Sequence, residues 1–433
     1  MLSPLANPTY ARLFAAQILS LVGTGLLTVA LGLLAFDLAG ANAGAVLGTA
    51  LAIKMIAYVG IAPVAAAFVH LVPRRTLLVV LDLVRALVAL ALPFVTEIWQ
   101  IYLLIGLLQS GSAAFTPTFQ ATIPDVLPEE AEYTRSLSLS RLAYDMEALA
   151  SPLLAAALLS AIGFHWLFAG TVLGFGASAL LVLSVVLPTP QPVAAEGAWA
   201  RTTRGLRLYL ATPRLRGLLA LNLAVAAAGA MVIVNTVVLV RGNLGLGNTE
   251  VAWTLAAYGA GSILSALLVP RLVEQKGDRP VMLAGAALLV LGLAVAPAAM
   301  GAWAPLLILW VLLGLGNGLV LTPSGRLLRR SAHAGDRPAL FAAQFALSHG
   351  CWLLTYPLAG WLGATTGMLW AFAAMAVLAG AGVALAAAHW RAAEELPVEH
   401  IHVDLPADHP HLKGGARRHR HPPMVDALHA PAR

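Results

Sequence analysis

GLLALNLAVAAAGAMVIVNTVVLV, residues 217–240, decides the fold class. No side chain in this run ionises. Its apolar residues follow neither the two-residue period of a strand nor the single stripe of a surface helix. A helix of this length, apolar on every side, spans a hydrocarbon layer about 30 Å thick. Lipid offers backbone groups no partner, so the run must close its own hydrogen bonds as a helix. Comparable blocks recur near 11–36, 44–69, 76–95, 99–117, 138–161, 165–187, 251–272, 280–299, 304–322, 339–362 and 367–389. An all-α membrane protein with twelve transmembrane helices follows. Only 11% of its 433 residues are charged, against about 25% in soluble domains.

The Lys and Arg residues between the blocks orient the chain. Alternate loops hold Arg74 and Arg75; Arg135 and Arg141; Arg201, Arg204, Arg207, Arg214 and Arg216; Arg271, Lys276 and Arg279; Arg326, Arg329, Arg330 and Arg337. The opposite loops hold only Arg241. Sixteen against one puts both termini in the cytoplasm by the positive-inside rule. The net charge of +6 is thereby spent on topology, and no nucleic-acid partner is expected. Met1 to Thr9 lacks the basic segment and cleavage site of a signal peptide, so the first block is expected to be retained. The lone cysteine, Cys351, excludes a disulfide framework. With no phosphate loop, HExxH or nucleophile motif, neither an enzyme nor a cofactor is expected.

Residues 188–216 turn Pro-rich and then basic, and read as a cytoplasmic linker between bundles at 1–187 and 217–390. Matching residues recur at one offset: Pro8 with Pro213, Gln17 with Asn222, Arg74 with Arg279 and Pro152 with Pro357 are each 205 apart, and Pro117 and Pro323 are 206 apart. The shared offset favours two parallel six-helix repeats with a substrate site between them near the bilayer midplane.

Polar residues inside spans mark that site, because they are costly in lipid and face the bundle interior. Counting about 1.5 Å per residue from the span ends, Lys54, Asn317 and His349 lie near the midplane, whereas Asp82, Arg85 and Asp145 lie nearer the cytoplasm. Asp82 and Arg85, three apart, can pair with each other or with Arg74 and Arg75 to lock a cytoplasmic gate. Asp82, Asp145 and Glu147 are the candidates for carrying a coupling proton. The eleventh span, AAQFALSHGCWLLTYPLAGW (342–361), carries a polar stripe of Gln344, Ser348, Cys351 and Thr355 beside a second of His349, Trp352 and Tyr356. Such a band suits a cavity wall, and its imidazole and thiol suit nickel, cobalt or zinc. Small polar residues also serve helix–helix hydrogen bonding. Lys54 opposes a simple cation site unless it is neutral, paired with a carboxylate, or turned to another cavity.

From 391 to 433 the chain is polar and Pro-rich, and is expected to be a disordered cytoplasmic extension. Three histidine pairs stand in it: His400 and His402, His409 and His411, His419 and His421. Positions i and i+2 of an extended chain point to one side, so each pair can chelate one metal ion. His-rich tracts of this kind read as metal-binding, and Asp404 and Asp408 can add oxygen ligands.

The stretches 115–152 (FTPTFQATIPDVLPEE…SLSLSRLAYDMEALASP), 71–86 (LVPRRTLLVVLDLVRA) and 344–361 resemble the branch of the major facilitator superfamily that contains the enterobactin exporters and the Nre-type nickel-resistance exporters. Helix eleven and the His-rich tail look most like the nickel branch. The resemblance implies efflux of a divalent metal, Ni²⁺ or Co²⁺, coupled to inward proton flow, by a monomer in a bacterial inner membrane. Two departures stand out. Ala66 and His70 replace the Gly and Asp that usually precede the basic residues of the loop between helices two and three. Gln109 and Ser110 stand where proton antiporters often carry an Arg. An exporter of an organic solute is the alternative, favoured by Lys54; a metal receptor that signals through its tail is a third reading.

Overall fold

The computed structural model describes residues 3–68, 72–187, 198–331, 337–392, 398–401 and 418–421. Thirteen α-helices of fourteen residues or more follow in order among them. They are α1 (Pro8–Ala39), α2 (Ala43–Phe68), α3 (Arg74–Ala91), α4 (Ile98–Val126), α5 (Glu130–Leu159), α6 (His165–Leu183), α7 (Ala198–Ala211), α8 (Pro213–Val237), α9 (Asn248–Lys276), α10 (Asp278–Ala299), α11 (Trp303–Arg330), α12 (Arg337–Thr365) and α13 (Met368–His389). All but the 14-residue α7 are long enough to cross a bilayer.

Local chemistry sets the helix ends. Asn7 accepts from the amides of Thr9 (3.0 Å) and Tyr10 (3.1 Å), and Pro8 starts α1 with its backbone angle already set. Gln100 at the start of α4 and Glu250 at the start of α9 reach back to amides of the preceding turn. The turns from α9 to α10 and from α12 to α13 run through Gly277 (φ 83°) and Gly367 (φ 91°), a backbone region that residues with a Cβ avoid. Pro270, Pro297, Pro323 and Pro357 sit inside helices, which membrane helices accommodate.

The residues that share an offset of 205 occupy equivalent places. Pro8 and Pro213 each begin a helix, Arg74 and Arg279 stand in the first turns of α3 and α10, and Pro152 and Pro357 lie within α5 and α12. Within each set of helices, small residues bring backbones together. Gly23 and Gly174 join α1 to α6, and Gly261 and Gly314 sit at the crossing of α9 and α11. Large apolar side chains such as Leu173 (72% exposed) and Leu180 point outward, as a lipid-facing surface requires.

Helices α1–α6 meet α8–α13 along two seams, α2 against α12 and α5 against α9. Cross-seam contacts concentrate at the end away from the termini. Gly44 and Gly48 pack against the backbone of Gly360 and Tyr356, where a Cβ on Gly48 would stand 2.5 Å from the Tyr356 carbonyl. Trp361 Nε1 donates to Thr49 (3.1 Å), and Thr249 donates to the Leu159 carbonyl (3.3 Å). Arg241, in a six-residue π-helical turn after α8, bonds Asp37 at 2.6 Å and lies 4.6 Å over the Phe36 ring. At the other end lie the start of α1, tied to α5 by Arg135 on Ser3 (2.7 Å), and the end of α13, tied to α10 by Arg279 on the Trp390 carbonyl (2.5 Å).

Helix α7 lies within the segment read as a linker. The tail departs from disorder at β1 (Val398–Ile401) and β2 (Arg418–His421), which pair antiparallel with His400 opposite His419. Residues 402–417, with His402, His409 and His411, lie outside the described residues.

Candidate functional site

Midway along the α2–α12 seam the small residues give way to an aromatic and ionisable cluster. From α12, the His349 ring stacks on Tyr58 of α2 at 5.6 Å with planes 8° apart, and lies 3.9 Å from Phe345. Lys54, one helical turn before Tyr58, places its ammonium 5.9 Å from the Tyr58 ring centre. His349 Nδ1 stands 2.7 Å from the Phe345 carbonyl. A carbonyl only accepts, so Nδ1 carries the proton, and neutral imidazole then leaves the lone pair of Nε2 for a ligand.

Helix α5 adds a third side. Glu147 lies within electrostatic reach of Lys54 and accepts from Ser151 (3.4 Å). Both side chains press against Gly25 of α1, where a Cβ would stand 2.6 Å from Glu147 Oε1. Tyr144, one turn before Glu147, lies near Gln17 and Thr116, and Ser140 donates to Gln17 at 3.1 Å.

The remaining expected residues fall elsewhere. Gln344 accepts from Tyr209 of α7, and Cys351 lies within electrostatic reach of the same phenol, so this stripe of α12 turns toward the linker helix. Ser348 bonds its own helix, at the Phe345 carbonyl (3.0 Å). Trp352 packs against Gly229 of α8 and stands 4.9 Å from Tyr356. Asn317 is half-buried on α11, whose neighbouring Gly316 and Gly318 pack against α10 and α9. The side chains of Arg141 and Asp145 lie outside the described residues. A separate groove of about 580 Å³, lined by Pro270, Glu274, Thr322 and Arg326 among others, opens between α9 and α11 away from this cluster.

The expected gate residues divide. Asp82 is fully buried, pairs with Arg85 and accepts from Ser178 of α6 (2.7 Å). The Arg85 guanidinium lies 4.2 Å from the Phe115 ring and 4.4 Å from Phe175. This pair ties α3 to α4 and α6, and its carboxylate is already committed. Arg74 pairs with Asp125 at the end of α4, and Arg75 donates to the Leu183 carbonyl. Arg74 thus has its acid partner on α4. The second set of helices reverses the signs: Asp278, at the start of α10, is fully buried and pairs with Arg330 (2.5 Å) and Arg326 (3.4 Å) of α11.

Sequence reasoning missed Tyr58, Tyr144, Phe345, Asp125 and Asp278. The aromatics are unexceptional in apolar spans. The two acids find partners 51 and 52 residues away in the chain. Among the described residues, no three His, Cys, Asp or Glu side chains converge as a metal centre.

A family model described as Major Facilitator Superfamily matches residues 13–238 and again 219–419. The chain is 26% identical over 211 residues to the uncharacterized MFS-type transporter YfiS of Bacillus subtilis (strain 168); the match spans 46% of this chain and 48%, about half, of that protein. Among solved structures, a bacterial homologue of the human lysosomal transporter Spinster, inward-facing and unoccupied, superposes with a TM-score of 0.69 at 13% identity, covering 87% of this chain and 95% of that one. A D-xylose–proton symporter gives 0.65 at 14%, covering 89% and 97%. The nucleoside transporter NupG gives 0.62 at 14%, covering 88% and 98%. At such identities these structures establish the shared fold alone.

Proposed function

The chain belongs to the Major Facilitator Superfamily, and from that premise we propose that it is a secondary active exporter of a borderline divalent metal ion, Ni²⁺ or Co²⁺, in a bacterial inner membrane with both termini cytoplasmic. One observation carries the cargo assignment: His349 stands in the seam between the two sets of helices with Nδ1 held by a backbone carbonyl. An outer hydrogen bond of this kind orients metal-ligating histidines and fixes their tautomer. Imidazole suits nickel, cobalt, zinc and copper, whereas Mg²⁺ and Ca²⁺ prefer oxygen.

Lys54 and Glu147 make the site compatible with a cation. Together they are near neutral, so an approaching ion does not meet a bare ammonium. Glu147 is the proton-coupling group of this reading, since a carboxylate that exchanges a proton for a cation couples the two flows. A transported ion must also leave, and a site with few protein ligands and retained water releases its ion more readily than a closed four-ligand centre. The two sets of helices rock about the site and expose it to each side in turn. The tail collects metal at the basic end, where the register of β1 and β2 sets His400 opposite His419.

An organic anion is the second reading, favoured by Lys54 beside the aromatic ring of Tyr58. Metal accumulation in cells expressing the full chain or His349→Ala separates the two. Lowered nickel, restored by the substitution, supports metal export. Unchanged nickel, cobalt, zinc and copper would rule it out and turn the search to organic anions.

A further inference from the structure

Helix α7 has three faces. Tyr209 and Gly205 are buried against the protein, and the Tyr209 hydroxyl donates to Gln344 of α12. Burial, and then the nearby Cys351, push the Tyr209 phenol above its usual range, so it stays a donor. Helical geometry of 3.6 residues per turn sets Trp199, Leu206 and Leu210 within an arc of roughly 40° on one flank. Leu206 (37%) and Leu210 (43%) of that flank are exposed. The other flank holds the positions of Arg201, Arg204 and Arg207. The helix contains no acid, and among the described residues no carboxylate salt-bridges the exposed Arg207.

One residue, Thr212, separates α7 from Pro213, where α8 begins its passage through the membrane. Leu210 therefore lies within one turn of the bilayer entry, at the level of the headgroups. A Trp and two Leu on one flank with three Arg on the other is the composition of a helix lying in the interface plane.

We propose that α7 is a lipid-docking helix: Leu206 and Leu210 enter the acyl boundary while Arg207, on the flank that also holds the positions of Arg201 and Arg204, binds the phosphates of anionic phospholipids. Because Tyr209 fastens this helix to α12, which carries His349, the lipid surface holds one end of a seam helix. The inference is independent of which cargo is carried.

The test places a benzophenone-bearing residue at Leu206 of the full chain, reconstituted in phosphatidylcholine vesicles containing one-fifth phosphatidylglycerol, with mass spectrometry of the adducts after irradiation. The same residue at Leu173, on the lipid-facing side of α6, is the control. Position 206 should yield phospholipid adducts enriched in phosphatidylglycerol about fivefold over its mole fraction, as expected for an arginine contact, while position 173 shows no enrichment. Arg204→Gln with Arg207→Gln should leave adducts at 206 but return phosphatidylglycerol to its bulk share. Either of two results would overturn the proposal: no lipid adduct at 206 while 173 reacts, or an enrichment at 206 that the double substitution leaves unchanged.

Discussion

Replacing Arg241 by Gln should loosen the end of the molecule away from the termini by a calculable amount. Arg241 and Asp37 join the two sets of helices through one 2.6 Å ion pair, with side chains 25% and 37% exposed. That exposure places the pair in the range of surface salt bridges, about 0.2–1 kcal/mol. The Phe36 ring under the guanidinium adds about 0.5–1 kcal/mol. After solvent screening the loss comes to about 1 kcal/mol, a roughly fivefold shift of the closed–open equilibrium at this end. Spin labels on cysteines introduced for the exposed Asn42 and Asn243, in a Cys351→Ser background, read that equilibrium as a distance distribution. The long-distance population should rise roughly fivefold in Arg241→Gln, and molar salt should move the unsubstituted chain part of the way there. Adding Asp37→Asn to Arg241→Gln should change little, since the pair is already broken. A distance distribution that ignores Arg241→Gln, or two substitutions whose effects simply add, would refute the latch.

Three further outcomes follow from the packing. Asp82→Asn leaves the Arg85 guanidinium buried without its carboxylate, which should cost about 3–5 kcal/mol; the thermal midpoint of the detergent-solubilised chain should fall, and Asp82→Leu with Arg85→Met should recover most of it. Gly360→Ala forces a methyl into the Gly44 carbonyl across the α2–α12 seam, an overpacking worth about 1–3 kcal/mol, and should raise the long-distance population of the same label pair. Tyr209→Phe removes one hydrogen bond to Gln344, about 1 kcal/mol, and hydrogen exchange should quicken in α7 with little change in α9 or α11.

The fold was legible because its determinant is local. A block of about twenty apolar residues can only be a helix in lipid, whatever it packs against, and residues 217–240 announce this without any partner. The 205-residue offset was legible for a related reason, since Pro8 and Pro213 are helix-start residues in any context. The site was legible only as single outliers. Lys54, Glu147 and His349 stand out because charge in a span is expensive, but that the lysine lies within electrostatic reach of the glutamate depends on where the packing of whole helices places α2 and α5. The acid partner of Arg74 is not legible locally, because Asp125 lies 51 residues on. The α12 stripes show the limit of helical spacing. Periodicity grouped Gln344 with Cys351, and the fold turned that group to α7, an element missed because Pro-rich and basic composition hid its 3.6-residue pattern. In the tail, alternation grouped histidines within one strand, while the pairing of His400 with His419 arises between strands.

The most direct test of the account is metal flux through the purified full chain in sealed vesicles carrying a pH gradient, with a Ni²⁺-sensitive dye enclosed and Mg²⁺ as the hard-ion control. Saturable Ni²⁺ movement that requires the gradient, is lost in His349→Ala, is uncoupled from the gradient in Glu147→Gln and is absent for Mg²⁺ is the predicted result. A folded, monodisperse protein that moves neither Ni²⁺ nor Co²⁺ under any gradient would contradict the metal-export account and leave the Lys54 cluster as a site for an organic anion.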